Sequence, residues 1–254
     1  MHAFGKRDRT KFVSFSGIDG AGKSTQIEAL RSRLEHQNLR VQIVRFWDDI
    51  ARLTWLRETT GHTVFKGDKG IGSPDAPINR RDKNVRSWPM TAVRLFIYFI
   101  DAISVRIAVR KALHSGAGVV IFDRYIYDEL ANLTLSNPLI RTYVRLLMIL
   151  CPRPDISYLL DADPVKARAR KPEYPLEFLY TNRQAYLTLS QLIGGITVIA
   201  PLPIQQVKLE VLAHADRQLS LIAHRGEIIE SAACNEYSTG PEGLKTPETR
   251  PAAS

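Results

Sequence analysis

Residues 16–25, Ser-Gly-Ile-Asp-Gly-Ala-Gly-Lys-Ser-Thr, constrain the fold of this chain more than any other stretch. From Gly17 to Ser24 they satisfy the spacing G-x-x-x-x-G-K-[ST]. Glycines let the backbone curl until successive N–H groups point at one anion. A helix starting directly behind such a loop adds its positive N-terminal end at the same place. Lys23 brings a point charge to the β- and γ-phosphates of a nucleotide, and Ser24 a hydroxyl for magnesium. The loop needs a strand before it and an amphipathic helix after it. Lys11–Ser16 supplies the strand, and a helix is predicted from about Lys23 to Gln37.

The rest of the chain repeats that alternation. Strands are predicted at Val41–Trp47, Gly118–Asp123, Asp155–Asp161 and Ile196–Ala200. Helices are predicted over about Met90–His114, Leu139–Leu150, Leu179–Leu192 and Ile204–His224. Strands separated by helices imply right-handed crossovers and a parallel sheet. The expected fold is therefore α/β, a P-loop NTPase three-layer fold: a five-stranded parallel sheet, helices on both faces and a short basic lid. One domain is expected over residues 1–225. It includes an insertion-like loop at about 48–88, punctuated by Gly67, Gly70, Gly72, Pro74 and Pro77, and a lid at about 166–178. Residues 226–254 are rich in Glu, Ser, Thr, Pro and Gly without apolar periodicity, which predicts a disordered tail.

Lysine and arginine total 35 against 26 acidic residues, a net charge of +9 that favours anionic partners. There is no aromatic-basic interleaving of the kind that binds single strands, so no nucleic-acid partner is expected. Cys151 and Cys234 lie far apart without metal-ligand spacing and read as reduced thiols. The basic N-terminus lacks the apolar core of a signal peptide, and Asp101 and Arg106 interrupt the most apolar segment. The expected setting is the cytoplasm, with no membrane partner.

Two further elements suit phosphate chemistry. The third predicted strand ends in Asp123-Arg124-Tyr125. A carboxylate at that place serves magnesium, and a neighbouring arginine can fork onto a second phosphate. Arg168, Arg170 and Lys171 follow the fourth strand. Phosphoryl transfer needs positive charge around the moving group and exclusion of water, and a basic flap provides both.

Together, "GIDGAGKSTQIEALRSRLE", "VVIFDRYIYDELA" and "LLDADPVKARARKPEYPLEFLYTNRQAYLTLS" resemble the thymidylate kinase family of nucleoside monophosphate kinases, in order and spacing. The resemblance runs from about Lys11 to Val207. It implies a magnesium-dependent kinase with ATP as phosphoryl donor, small-molecule nucleotide substrates and thymidylate as acceptor (dTMP to dTDP). Gly17, Asp19, Gly20, Ala21, Gly22, Lys23, Ser24 and Thr25 would line the ATP site, with Ser24 and Asp123 serving the metal. Asp19 would face the acceptor's sugar or the metal, Arg124 would grip the acceptor phosphate, and Tyr186 and Phe96 would lie near the acceptor. The family carries its catalytic arginine either in the phosphate loop or in the lid. Gly20 with Arg168 and Arg170 matches the lid kind, giving Lys23, Arg124, Arg168 and Arg170 as the catalytic set. Members are often homodimers through the long helix, whose apolar residues here include Val93, Phe96, Ile97 and Ile100.

Departures gather on the acceptor side. Arg45-Phe46-Trp47-Asp48-Asp49-Ile50 stands where the family usually has R-E-P-G-G-T. Ile100 or Ala102 falls where the family's thymine-binding arginine belongs. Asp128 and Glu129 follow the D-R-Y motif, where two carboxylates repel a phosphate unless they point away or bind metal. The alternatives are a kinase of a nucleoside or phosphorylated metabolite, and a nucleotide-binding regulator without catalysis.

Overall fold

The computed structural model describes residues 10–50 and 88–220. By internal contacts the chain divides into residues 1–215 and residues 216–254. Of the second unit, residues 216–220 are described and are helical. The expected insertion-like loop lies outside the described residues except at its two ends, and the expected tail lies wholly outside them.

The first unit is built on five parallel strands: β1 (Lys11–Ser16), β2 (Val41–Arg45), β3 (Val119–Asp123), β4 (Ile156–Leu160) and β5 (Thr197–Ile199). Their order across the sheet is β2-β3-β1-β4-β5. The described helices are α1 (Lys23–His36), α2 (Trp88–Leu113), α3 (Ile126–Leu130), α4 (Pro138–Leu150), α5 (Pro164–Arg170) and α6 (Leu176–Ile193). Residues 204–215 form a further helix that ends this unit.

The three central strands are almost wholly buried, as continuous apolar runs between two helical layers must be. Ring pairs Phe12–Phe122 and Phe15–Tyr158 link neighbouring strands across the sheet. On α1, Ile27, Leu30 and Leu34 face inward at helical spacing. Helices α4 and α5 start as their sequences dictate. Asn137 and Asp163 accept capping bonds from Leu139 N and Lys166 N, both at 2.9 Å, and proline follows each cap.

One expectation needs correction. Strand β2 stops at Arg45 rather than Trp47, and Phe46–Ile50 forms a π-helical turn. Arg45 is paired with Asp123, the last residue of β3, so no ladder partner remains beyond it. The Arg45 N–H instead donates to Asp49 Oδ2 at 2.7 Å, and Phe46 turns into the core. The expected lid segment begins and ends in helix. Arg168 and Arg170 lie within α5, and residues 176–178 already belong to α6.

Register sets the position of the site. Phe15 pairs with Asp123 and Ser16 with Leu159, so the carboxyl ends of β1, β3 and β4 finish at one level. Sheets of this kind bind ligands in that crevice.

Candidate active site

The phosphate loop leaves β1 at Gly17 and enters α1 at Lys23. Gly17 has φ +140°, and a Cβ there would stand 2.6 Å from Leu160 O on the adjacent strand. Gly20 has φ +80°, and its Cβ would stand 2.3 Å from Ala167 O in α5. Only glycine permits that approach. The residue that lacks an arginine side chain is thus also the one that lets the arginine-bearing helix rest on the loop.

Lys23 is 7% exposed, and its Nζ donates to Gly17 O at 2.8 Å and Ile18 O at 2.9 Å. Burial, with the Arg124 cation nearby, lowers its pKa to about 8. Ser24 and Thr25 are exposed at the start of α1, and Asp123 is half-buried at the end of β3.

Arg124 has φ +71°, an uncommon conformation for a residue with a side chain and one that concentrates at functional sites. Its N–H donates to Phe15 O at 3.0 Å, anchoring the turn on β1. Its guanidinium pairs with Asp19 of the phosphate loop and lies 3.6 Å from Asp128 Oδ1. Burial lowers its pKa, but the Asp128 and Asp19 carboxylates outweigh burial and raise it further above neutrality. Lys171 Nζ lies 3.8 Å from the same Asp19 oxygen, Oδ1, and 3.3 Å from Glu173. Lys23, Arg124 and Lys171 therefore gather around one loop carboxylate.

Of the expected acceptor residues, Tyr186 lies in this cluster, buried and donating its hydroxyl to Asp128 Oδ1 at 2.8 Å. Burial raises its phenol pKa well above the ordinary value, and Asp128 adds to the shift. Phe96 is 60% exposed on α2, and no described contact joins it to Asp19, Arg124 or Tyr186. Arg170 leans back over the loop. Its Nε donates to Lys166 O at 3.2 Å, and Nη1 lies 3.8 Å from where a Cβ on Gly22 would sit. Arg168 is half-exposed and makes no hydrogen bond or ion pair among the described residues.

Several features escaped the sequence. Asp128, which raised the prospect of repulsion, is turned inward and surrounded by donors. Its spacing from Tyr125, three residues across a helix start, was the one available signal. Arg183 holds Asp161 at the end of β4 through two bonds of 2.6 and 2.7 Å. A cavity of about 550 Å³ opens beside Ala21, bounded by Arg170 on one side and by Pro201, Leu202, Pro203 and Ile204 on the other. None of its far wall carried a recognisable motif.

A parallel sheet in this order, with a glycine loop under a lysine and arginines on two sides, defines a phosphate-loop phosphotransferase. No family model matches the chain. A protein of Bifidobacterium longum strain DJO10A named thymidylate kinase is 33% identical over 189 residues, covering 70% of this chain and 83% of the relative. A probable thymidylate kinase of Pyrococcus abyssi is 27% identical over 222 residues, covering 83% and 98% respectively. The crystal structure of thymidylate kinase from Ehrlichia chaffeensis shares the fold, with TM-score 0.50 and 21% identity over 82% of this chain and 99% of that one. The chain belongs to the thymidylate kinase family, and it is a kinase.

Proposed function

We propose that this kinase transfers the γ-phosphoryl group of ATP to thymidylate, giving thymidine diphosphate. The observation that carries the reading is that Arg124, paired with Asp19 of the phosphate loop, lies close enough to buried Lys23 to lower its pKa. Two cations so close suit two phosphate groups brought end to end, one held from the loop and one from the D-R-Y turn. The names of the relatives support thymidylate as the acceptor.

In this reading the loop N–H groups from Gly17 to Gly22, with Lys23, Ser24 and Thr25, hold the donor phosphates. The cavity beside Ala21 takes the donor base between Arg170 and the apolar wall of residues 201–204. Arg124 grips the acceptor phosphate, and Asp19 and Tyr186 line the acceptor's sugar side. Arg168 and Arg170 cover the moving group and exclude water, which is most of what phosphoryl transfer asks of a protein.

Among the described residues no group of three or more His, Cys, Asp or Glu is arranged to hold a metal ion alone. Ser24 and Asp123 nevertheless offer the hard oxygens that suit magnesium, which takes few protein ligands and completes its shell with phosphate and water. Bound there, magnesium neutralises charge on the phosphates.

The Phe46–Ile50 turn favours a second reading. Where the family usually has R-E-P-G-G-T, the chain folds Asp49 back onto Arg45 N, which supports an altered acceptor such as another monophosphate. ADP formation, measured with dTMP and the other nucleoside monophosphates in parallel, separates the two. Fastest turnover with dTMP is expected, and Arg124→Ala should raise acceptor KM at least about tenfold while leaving ATP KM nearly unchanged. No turnover with any monophosphate removes both readings.

The proposal includes a homodimer through α2. Phe96, Phe99, Ile103 and Ile107 recur every three or four residues and are 40–60% exposed, an apolar stripe that a second copy would cover.

A further inference from the structure

Asp128 is 3% exposed, and the proposed chemistry gives it no part. Two elements and the D-R-Y turn converge on it. Its Oδ2 accepts from Ser16 Oγ at 2.7 Å, at the end of β1, and from Tyr125 N at 3.1 Å, at the start of α3. Its Oδ1 accepts from Tyr186 hydroxyl at 2.8 Å, on α6, and faces Arg124 Nη1 at 3.6 Å. The two oxygens divide the work. One fastens the turn to the sheet, and the other meets the two side chains assigned to the acceptor.

From this division we infer that Asp128 is a positioning residue that aims Arg124 and Tyr186 at the acceptor; the inference rests on the proposed role of Arg124. Arg124 leaves a backbone in the left-handed region, so its direction is not set by ordinary rotamer preference alone. Its two terminal nitrogens meet different carboxylates, Nη2 at Asp19 and Nη1 at Asp128, which fixes the plane of the guanidinium. The two carboxylates are not equivalent. The Asp19 side chain is 13% exposed and shares its charge with Lys171, so an arriving phosphate can displace it from Arg124. The Asp128 side chain is 1% exposed and held by three further hydrogen bonds, so it stays in place as the substrate binds. Placed behind the guanidinium, it leaves the outward edge of Arg124 for phosphate.

Asp128→Asn tests this directly. The amide oxygen can keep Ser16 and Tyr125, while the opposite position becomes a donor facing Arg124 and Tyr186. The expected result is an acceptor KM raised about tenfold with ATP KM within about twofold. In the Arg124→Ala background the same change should add little, because it acts through Arg124. An equal rise in both KM values, or full additivity with Arg124→Ala, overturns the assignment. Should Asp128→Asn fail to fold, Tyr186→Phe and Ser16→Ala divide the same carboxylate. The first should chiefly raise acceptor KM and the second chiefly lower the melting temperature, and the reverse pattern overturns the inference. If the unaltered chain turns over no monophosphate, the functional reading fails by itself. A crystal structure of Asp128→Asn then decides the geometry: a guanidinium displaced from its present position supports positioning, and one unmoved refutes it.

Discussion

Lys23 is held by two loop carbonyls in a buried setting, with its pKa brought down to about 8 by burial and by Arg124. In the free enzyme Lys23 loses its charge as pH rises through about 8, and with it the attraction for the donor phosphates. A bound polyanion favours the charged form and pushes the pKa back up. The expected outcome is that kcat/KM for ATP falls above about pH 8, while kcat holds to higher pH. Proton uptake on ATP binding at pH 9, measured by calorimetry in buffers of different ionisation enthalpy, is the independent check. Cys151 shows the contrast. Its burial pushes the thiol up to about 12, the setting of an inert core cysteine rather than a nucleophile.

Among the elements, α5 carries the argument. It is seven residues long, too short to stand alone, and it is positioned by its Asp163 cap, by Pro164 and by its approach to Gly20. An added Cβ at Gly20 meets Ala167 O at 2.3 Å and sits at φ +80°, so contact and conformation oppose it together. Gly20→Ala should therefore cost about 1–3 kcal/mol of stability and push α5 off the loop. With Arg168 and Arg170 displaced, kcat should fall by about 10²-fold or more while the acceptor KM changes little. Thermal melting and steady-state kinetics on the one variant read both. The basic segment was legible because its arginines lie together after a strand. Its helical order was not, because the support comes from the loop at Gly20, far away in sequence.

At the scale of the molecule, the surface of α2 sets the prediction. Phe96, Phe99, Ile103 and Ile107 form one exposed apolar line. If that line is a twofold interface, Phe99→Asp with Ile103→Asp should convert a dimer to a monomer in light scattering while leaving the far-ultraviolet spectrum unchanged. A monomeric unaltered chain would refute the dimer. No described helix is long and apolar enough to cross a membrane.

How much could be read beforehand depended on distance along the chain. Strand β1 and α1 matched their expected spans to within a residue, since hydrophobic periodicity and the glycine loop are contiguous signals. The parallel sheet followed from the alternation of strand and helix, and the phosphate loop from eight consecutive residues. Each is determined locally, because backbone curvature, helix dipole and lysine reach all arise within one strand-loop-helix unit. Packing decided the remainder. Strand β2 ends where β3 runs out of partners, which no property of Phe46 or Trp47 announces. Asp128 meets Tyr186 from 58 residues away, and the cavity beside Ala21 draws its far wall from residues 201–204. The sequence by itself therefore determined the strand, glycine loop and helix that a phosphate cradle requires. Only the tertiary structure decided what stands around Arg124, because a carboxylate becomes an anchor or a source of repulsion according to the donors that folding brings to it.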